Sequence, residues 1–259
     1  MESVEVTGSP YDQNGFAVRF DWGVDGLRAV AGGAHVVVVV DVLSFTTCVD
    51  IATSRGAVVL PLASDGELDA LSYADSHGAV LARRRSAGSG SDGWSLSPTS
   101  LISISSDTRL VLPSPNGSAI AAEASILASV VLAGCLRNAS SVAAAANQAG
   151  PSIAVIAAGE RWGAAGGRLR PPVEDFLGAG AIISRLAAAT RSPEAAAAAA
   201  AFDAAQHDLV ARMRDSASGR ELIAAGFSDD VELAAALDSS DTAPTLREDA
   251  FVDGTQTSL

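Results

Sequence analysis

The sequence contains no lysine, only two cysteines and few aromatic residues. Without lysine there is neither a Schiff-base amine nor the lysine of a P-loop. An anion must therefore be bound by arginine, by backbone N–H groups or through a metal ion. The cysteines, Cys48 and Cys135, are too few for a disulfide framework or a zinc-ligand cluster, which fits a reducing cytosol. The histidines are scattered, without metal-type partners three or four residues away.

Long apolar runs and a basic surface are also lacking. Because no stretch of about twenty uncharged apolar residues occurs, we expect no membrane span. The acidic residues 1–5 do not resemble a secretory signal, so we expect a cytoplasmic protein. A formal net charge of -13 repels nucleic acid and anionic lipid, which leaves neither as an expected partner.

Strand and helix patterns alternate through most of the chain. Residues 36–40 are an unbroken run of valine, typical of a strand covered on both faces. The alternation predicts an α/β fold with a mostly parallel central sheet and helices on both faces. The predicted strands are residues 36–40, 58–62, 79–81, 109–112, 130–133 and 153–157. The predicted helices are residues 45–54, 65–77, 118–128, 173–190 and an alanine-rich helix that Asn138 or Ser140 caps and that ends at Gln148.

The C-terminal part is predicted to be helical. A helix begins at residue 193 with Ser192 as its cap and continues to about residue 215, and two shorter helices follow. Residues 239–259 are expected to form a partly disordered tail, in which residues 244–251 add an edge strand. We treat the whole chain as a single domain with its core in residues 22–251. The alanine-rich helices suggest a homodimer.

Asp41 ends the valine strand and precedes a hydroxyl-rich turn. Open α/β sheets bind ligands at the carboxyl ends of their strands, and a helix start attracts phosphate. Asp41 would hold a divalent cation there, while Ser44, Thr46 and Thr47 donate hydrogen bonds to a phosphate. In the alternative interpretation, Ser44 or Thr46 only caps the helix and Asp41 helps. The functional interpretation is favoured because a carboxylate that ends so apolar a strand needs a reason.

Two familiar phosphatase signatures are absent. Leu43 stands where an Asp-x-Asp-x-Thr phosphatase carries its second aspartate. Cys48 does not begin a Cys-x5-Arg motif, because Ser54 occupies the position of the arginine. Neither an aspartyl phosphatase of the first kind nor a cysteine phosphatase is therefore predicted.

Two further polar segments follow predicted strands. Residues 114–118 form either a turn with a helix cap or a second wall of the site at Asp41. Residues 159–175 combine arginines with acids, as metal-assisted phosphate binding requires, although acids at a helix start also complement its dipole. The candidate residues in the two segments are Asn116, Gly117, Ser118, Glu160, Arg161, Arg168, Arg170, Glu174 and Asp175.

Two charged segments are interpreted first as structural features without a role in binding. Residues 83–85 are three consecutive arginines, interpreted as a solvated charge run and only secondarily as a substrate contact. Residues 218–221 and the pair Asp229-Asp230 are explained mainly by helix capping.

Several segments occur together in an order that resembles a known family. They are residues 37–47, 97–98, 114–118, 133–138, 158–162, 173–180 and 218–220. Their order is similar to that of the 2-phosphosulpholactate phosphatase family, over about residues 22–251. The resemblance implies a magnesium-dependent acid phosphatase with a three-layer α/β/α fold. It would release phosphate from a small 2-phospho-3-sulpho acid, a step of coenzyme M synthesis.

The resemblance and the residues together suggest roles within the site. Asp41 would bind Mg²⁺ with Glu174, Asp175 or Glu160, and Asp41, Glu160 and Arg161 would be catalytic. The phosphate would be bound by Ser44, Thr46, Thr47, Asn116, Gly117 and Ser118, and the second acid group of the substrate by Arg161, Arg168 and Arg170. The sequence leaves open whether Asp41 attacks phosphorus, binds metal or activates water.

Two departures from the family pattern keep alternatives open. Ser44 stands where the family commonly has arginine, and residues 83–85 replace a Gly-Glu-Arg segment, with the loss of an acid. One alternative is a phosphatase for another small phospho-hydroxy acid. The other is a non-catalytic anion-binding protein derived from the enzyme.

Overall fold

The structure is a computed structural model that describes residues 9–63, 67–83, 85, 93–163, 167–187 and 190–255. The strands in these residues are β1 Val18–Trp22, β2 Val36–Val40, β3 Val58–Leu62, β4 Val80–Leu81, β5 Arg109–Pro113, β6 Val130–Gly134, β7 Ile153–Ala157, β8 Glu160–Arg161, β9 Leu169–Arg170, β10 Pro244–Arg247 and β11 Ala250–Asp253. The helices are α1 Gly23–Val30, α2 Phe45–Ser54, α3 Glu67–Ser76, α4 Gly117–Leu127, α5 Ala139–Ala149, α6 Val173–Arg185, α7 Pro193–Ala205, α8 Leu209–Asp215, α9 Ala217–Ala224 and α10 Ser228–Ala234.

A nine-stranded sheet in the order β1-β7-β2-β6-β10-β11-β3-β5-β4 forms the centre of the fold. Strands β1, β7, β2 and β6 pair in parallel, and so do β3, β5 and β4. The hairpin of β10 and β11 lies between these two groups and pairs antiparallel with β6 and β3. The sheet is thus mostly parallel, as predicted. A separate two-stranded sheet contains β8 and β9.

The valines of β2 hold the two faces of the sheet in separate cores. Val36, Val38 and Val40 pack into one core, and Val37 and Val39 pack into the other. All five side chains are fully buried, because successive side chains of a strand point to opposite faces. Full burial of each valine contributes about 1.5–3 kcal/mol to folding.

Helices cover both faces of the sheet. Helices α5, α6 and α7 cover the face of Val38, with Val142, Ile182 and Phe202 in the shared core. Helices α1, α2 and α4 cover the opposite face. This arrangement confirms the three-layer α/β/α architecture. None of the helices in the described ranges combines the length and the apolar character needed to cross a membrane.

The C-terminal hairpin corrects the prediction for the tail. Strands β10 and β11 lie inside the sheet, where Thr245 pairs with Leu132 and Phe251 pairs with Val59. The predicted edge position is therefore wrong. A short run that starts with proline is typical of an edge, but both partners of the hairpin come from distant parts of the chain. The last four residues, 256–259, lie outside the described residues.

Two helix predictions were too long, and the first strand and helix were missed. Helix α6 ends at Arg185 because Thr190 and Ser192 are instead hydrogen-bonded to the backbone of Val18 in β1. Helix α7, predicted to continue from residue 193 to about residue 215, ends at Ala205 and is followed by a 3₁₀ turn and by α8. No glycine or proline marks that break, and a 3₁₀ turn nearly preserves the helical spacing of apolar residues. The predicted Ser192 cap is confirmed, since its hydroxyl accepts the N–H of Ala195 at 3.1 Å.

Helices α6 and α7 approach most closely at Gly180. A Cβ atom built there would lie 2.1 Å from the carbonyl oxygen of Ala198 and 2.8 Å from the Cβ of Phe202. A side chain at this position would force the two backbones apart, and a close-packed interior resists such a shift.

We therefore expect Gly180→Ala to lower the free energy of unfolding by about 1–3 kcal/mol through overpacking. Urea denaturation followed by circular dichroism measures the change. Gly32→Ala is the matched control, because a Cβ at Gly32 meets nothing within 4 Å. Equal midpoints for the two variants would contradict this account of the interface.

Candidate active site

Asp41 follows β2 and accepts hydrogen bonds from two loops. Its Oδ1 accepts the N–H of Phe45 at 3.2 Å, and its Oδ2 accepts the N–H of Gly117 at 3.0 Å. The carboxylate is buried. Asp41 thus satisfies a free N–H group at the start of α2, whereas the side chain of Ser44, at the N-cap position, makes no capping bond. In the alternative interpretation, capping by Ser44 or Thr46 is therefore wrong, whereas the help expected from Asp41 is confirmed.

Gly117 allows the loop after β5 to reach Asp41. A Cβ at this position would lie 2.4 Å from Cδ1 of Phe45 and 2.7 Å from Oδ2 of Asp41. Only glycine leaves room for the backbone N–H to approach the carboxylate. The expectation that residues 114–118 lie beside the Asp41 turn is confirmed by this contact.

Asp175 ties a third loop to the same place. This residue lies in the first turn of α6, and its Oδ1 accepts the N–H of Val42 at 2.8 Å. Its Oδ2 accepts the N–H of Gly159, after β7, at 2.9 Å. Two buried carboxylates therefore satisfy N–H groups from the loops that follow β2, β5 and β7.

Ser218 binds Arg170 and influences Glu174. Arg170 Nη2 donates to Ser218 Oγ at 2.8 Å, and the Ser218 side chain lowers the pKa of the Glu174 carboxyl. The buried Oε2 of Glu174 has no hydrogen-bond partner among the described residues. Arg170 also lies near the ring of Trp162, with its guanidinium carbon 5.9 Å from the ring centroid.

Glu160, which lies in the small β8–β9 sheet, is the fourth acid of the site. Its Oε1 accepts from Asn116 Nδ2 at 3.3 Å and from the N–H of Arg161 at 3.0 Å. In the same sheet Glu160 pairs with Arg170. The polar segment of residues 159–175 therefore contains a pair of antiparallel strands, which brings Glu160 and Arg170 side by side.

Burial, and to a smaller extent the neighbouring acids, raise the pKa values of Asp41, Glu174 and Asp175. Burial raises the pKa of Asp41 to about 7, where the bond from Phe45 lowers it and the charge of Glu160 raises it. Burial, and then the charges of Asp41 and Glu174, raise the pKa of Asp175 well above its usual range. Burial also raises the pKa of Glu174, against a hydrogen bond from Ser218 that lowers it. Such a site favours a bound cation or a retained proton.

An open cleft of about 870 Å³ lies against this group of acids. Three guanidinium groups border it, from Arg85, Arg161 and Arg170, together with the carboxylates of Glu160 and Glu221. The remaining lining residues are Leu43, Trp162, Gly163, Pro171, Ala217, Ser218, Leu222, Ala225 and Phe227. In a protein with a net charge of -13, a cleft bordered by three arginines suits a small anion.

Three hydroxyl groups that were predicted to bind phosphate donate hydrogen bonds to backbone carbonyls in the structure. The hydroxyls of Thr46 and Thr47 donate to the carbonyls of Asp41 and Val42, at 2.8 and 2.7 Å. The hydroxyl of Ser118 donates to the carbonyl of Leu112 at 3.2 Å. Carbonyls at the ends of buried strands need donors, and these side chains are the nearest ones. Because each hydroxyl has one proton, a contact with phosphate would require these bonds to break, and the role as phosphate donors stays a prediction.

Arg168 is exposed and does not border the cleft. Its predicted contact with the substrate therefore has no support. Arg161 does border the cleft, although its Nη1 donates to the carbonyl of Gly167.

Sequence reasoning also missed residues that line the cleft. Arg85 was grouped with a solvated charge run, yet its side chain is 19% exposed and borders the cleft. Arg83 is exposed, and Arg84 lies outside the described residues. Ser218 was explained by capping, but Ser216 caps α9 and leaves Ser218 to bind Arg170. The resemblance of residues 218–220 to a family segment was the available signal.

The oxygen atoms of the buried acids fit Mg²⁺ by their chemistry. Mg²⁺ prefers oxygen ligands, and it commonly takes one or two carboxylates and fills the rest of its shell with water and substrate phosphate. The partnerless Oε2 of Glu174 and the mutual repulsion of Asp41 and Asp175 are features that a cation would relieve. Within the described residues, however, no group of three or more His, Cys, Asp or Glu side chains is arranged to hold a metal.

Comparison with known proteins identifies the family of the chain but no individual relative. No individual curated protein matches the chain. The sequence model of the 2-phosphosulpholactate phosphatase family matches residues 27–249, which contain all strands of the large sheet except β1 and β11, the buried acids and all residues that border the cleft. A phosphatase role is the activity that this match supports. The chain belongs to the 2-phosphosulpholactate phosphatase family.

Proposed function

We propose that this protein hydrolyses the phosphate monoester of a small 2-phospho-hydroxy acid, such as 2-phosphosulpholactate, to the hydroxy acid and phosphate. The observation that carries the proposal is the cleft, which three arginines and Glu160 border, with the buried acids Asp41, Glu174 and Asp175 beneath its surface. Family membership narrows the anion to a phosphate ester. A substrate with a phosphate and a second acid group would use more than one of the arginines.

We propose Mg²⁺ as the cofactor, bound by Asp41 with Glu174 or Asp175. When bound, the cation would neutralise charge on the phosphate oxygens during displacement. Asp41, Asp175 and Glu174 do not border the cleft, so they would act from beneath its surface. The two N–H bonds to Asp41 hold its carboxylate in place, which favours a binding role over nucleophilic attack.

Glu160, Arg161 and Arg170 would activate water and bind the second acid group of the substrate at the cleft. Glu160 borders the cleft and is oriented by Asn116, so it can accept a proton from an attacking water. Arg170 and Arg161 would bind the carboxylate or sulphonate of the substrate. Ser218 and Trp162 hold Arg170 in position for this contact.

A non-catalytic anion-binding protein is the second candidate. It is favoured by one observation, namely that Asp41 and Asp175 each tie together two loops and lie outside the cleft surface. Those acids would then serve the fold alone, and the arginines would bind an anion without turnover.

Phosphate release from a panel of small phosphorylated acids, assayed with Mg²⁺, tests the proposal. We expect turnover of at least one 2-phospho-hydroxy acid that carries a second acid group. Asp41→Asn should lower kcat by about a hundredfold or more, because it removes charge at the proposed metal site. Asp203→Asn, an exposed aspartate on α7, is the matched control. Binding of panel members without any phosphate release would favour the anion-binding protein instead.

The raised pKa of Asp41 predicts a pH dependence of stability in protein treated with a chelator. Its folded-state pKa of about 7 exceeds the ordinary value of 3.8, so the folded state retains a proton that the unfolded chain has lost. Stability should therefore fall as the pH rises from about 4 to 7. Differential scanning calorimetry should show a smaller fall for Asp41→Asn. Added Mg²⁺ should raise the Tm of the wild-type protein at pH 8 more than that of Asp41→Asn.

Parallel curves of Tm against pH for the two proteins would show that Asp41 is not the group responsible. An equal effect of Mg²⁺ on both would remove Asp41 from the proposed metal site. Neither measurement depends on knowing the substrate.

A further inference from the structure

Arg85 borders the cleft next to the start of α2. Its Nη2 donates to Ser44 Oγ at 2.8 Å and also to the carbonyl of Leu96. Its guanidinium carbon lies 5.2 Å from the centroid of the Phe227 ring. These contacts come from three separate parts of the chain, so the guanidinium is held in one position although the side chain is long.

Asp230 is the buried counter-charge of Arg85. Its Oδ1 accepts three hydrogen bonds, from the hydroxyl of Ser97 at 2.8 Å and from the N–H and hydroxyl of Thr99 at 2.9 and 2.7 Å. Its Oδ2 lies 4.0 Å from Arg85 Nε, and neither of these two atoms has a hydrogen-bond partner among the described residues. Asp230 therefore compensates the charge of Arg85 without occupying its N–H donors.

Donors of Arg85 remain available for a ligand. A guanidinium carries five N–H groups, and the two on Nη2 account for the contacts with Ser44 and Leu96. Within the described residues, no acceptor is bonded to Nη1. A structural arginine that is mostly buried would be expected to use more of its donors within the protein, as Arg19 does with four acceptors.

We propose that Arg85 binds the phosphoryl group of the substrate and that Asp230 is its positioning residue. The inference rests on the proposed function for the identity of the ester, but not for the existence of a phosphate site. Ser44, which Arg85 contacts, stands at the N-cap position of α2 in the turn that follows Asp41, so Arg85 lies beside the group of buried acids. Arg161 and Arg170 come from the β8–β9 sheet and are left for the second acid group.

This division would make the cleft selective for anions with two acid groups. A phosphate ester without a second acid group would use Arg85 alone, and a carboxylate–sulphonate without phosphate would use Arg161 and Arg170 alone. Each guanidinium could then be tested with a different small probe.

Isothermal titration calorimetry with inorganic phosphate and with sulphoacetate, both in the presence of Mg²⁺, tests the assignment. Arg85→Gln should weaken phosphate binding by about tenfold to a hundredfold, the range of one charged hydrogen bond, and leave sulphoacetate binding unchanged. The matched control is Arg83→Gln, an exposed arginine two residues away, which should leave both affinities unchanged. Arg85→Lys, which keeps the charge, serves as the second variant if the first unfolds, and it should weaken phosphate binding less.

Three results would overturn the assignment. They are the absence of phosphate binding by the wild-type protein, unchanged phosphate binding by a folded Arg85→Gln or Arg85→Lys variant, and a loss confined to sulphoacetate. Failure of the proposed function is a different result, because a protein that binds phosphate through Arg85 without hydrolysing any ester would still support this assignment.

A double-mutant cycle tests Asp230. Asp230→Asn can keep one oxygen for Ser97 and Thr99 while it removes the charge beside Arg85. It should weaken phosphate binding in the wild-type background and have no further effect in the Arg85→Gln background. Equal losses in both backgrounds, or none in the wild-type background, would show that Asp230 does not act through Arg85.

Discussion

The site depends on two buried carboxylates that accept backbone N–H groups at the ends of strands. Asp41 and Asp175 connect the loops after β2, β5 and β7, because the N–H groups of those loops are buried and need acceptors. Four hydrogen bonds from Val42, Phe45, Gly117 and Gly159 define this junction. The cleft, the hairpin of Glu160 and the arginines are arranged around it.

The same arrangement is electrostatically costly. Placing Asp41, Asp175 and Glu174 close together in a buried region raises their pKa values, which means that the folded state resists their ionisation. Perturbed carboxylates of this kind are more common at functional sites than elsewhere, although structural networks also produce them. A cation at the junction and an anion in the cleft would together reduce the repulsion, which is why metal and phosphate are proposed together.

Prediction from sequence was most successful where a local pattern had a single structural meaning. The valine run is typical of a strand buried on both faces, and Gly117 after a strand indicated a tight turn. It was least informative where a hydroxyl could donate either to a ligand or to a nearby backbone carbonyl. Hydroxyl groups can donate hydrogen bonds to phosphate, but those of Thr46, Thr47 and Ser118 donate to buried carbonyls nearby. Hydroxyl-rich turns do not reveal that choice, because the competing carbonyl lies in the same loop.

The sequence by itself determined the α/β alternation, the buried central strand, the place of Asp41 at its carboxyl end and the family to which the chain is similar. These follow from periodicity, burial and the order of short segments, all of which are local properties. Only the tertiary structure decided that the C-terminal hairpin lies inside the sheet and that Arg85 faces Asp230 in the cleft wall. Such pairs are distant in the chain, and they are selected by packing and charge compensation, which no local pattern encodes.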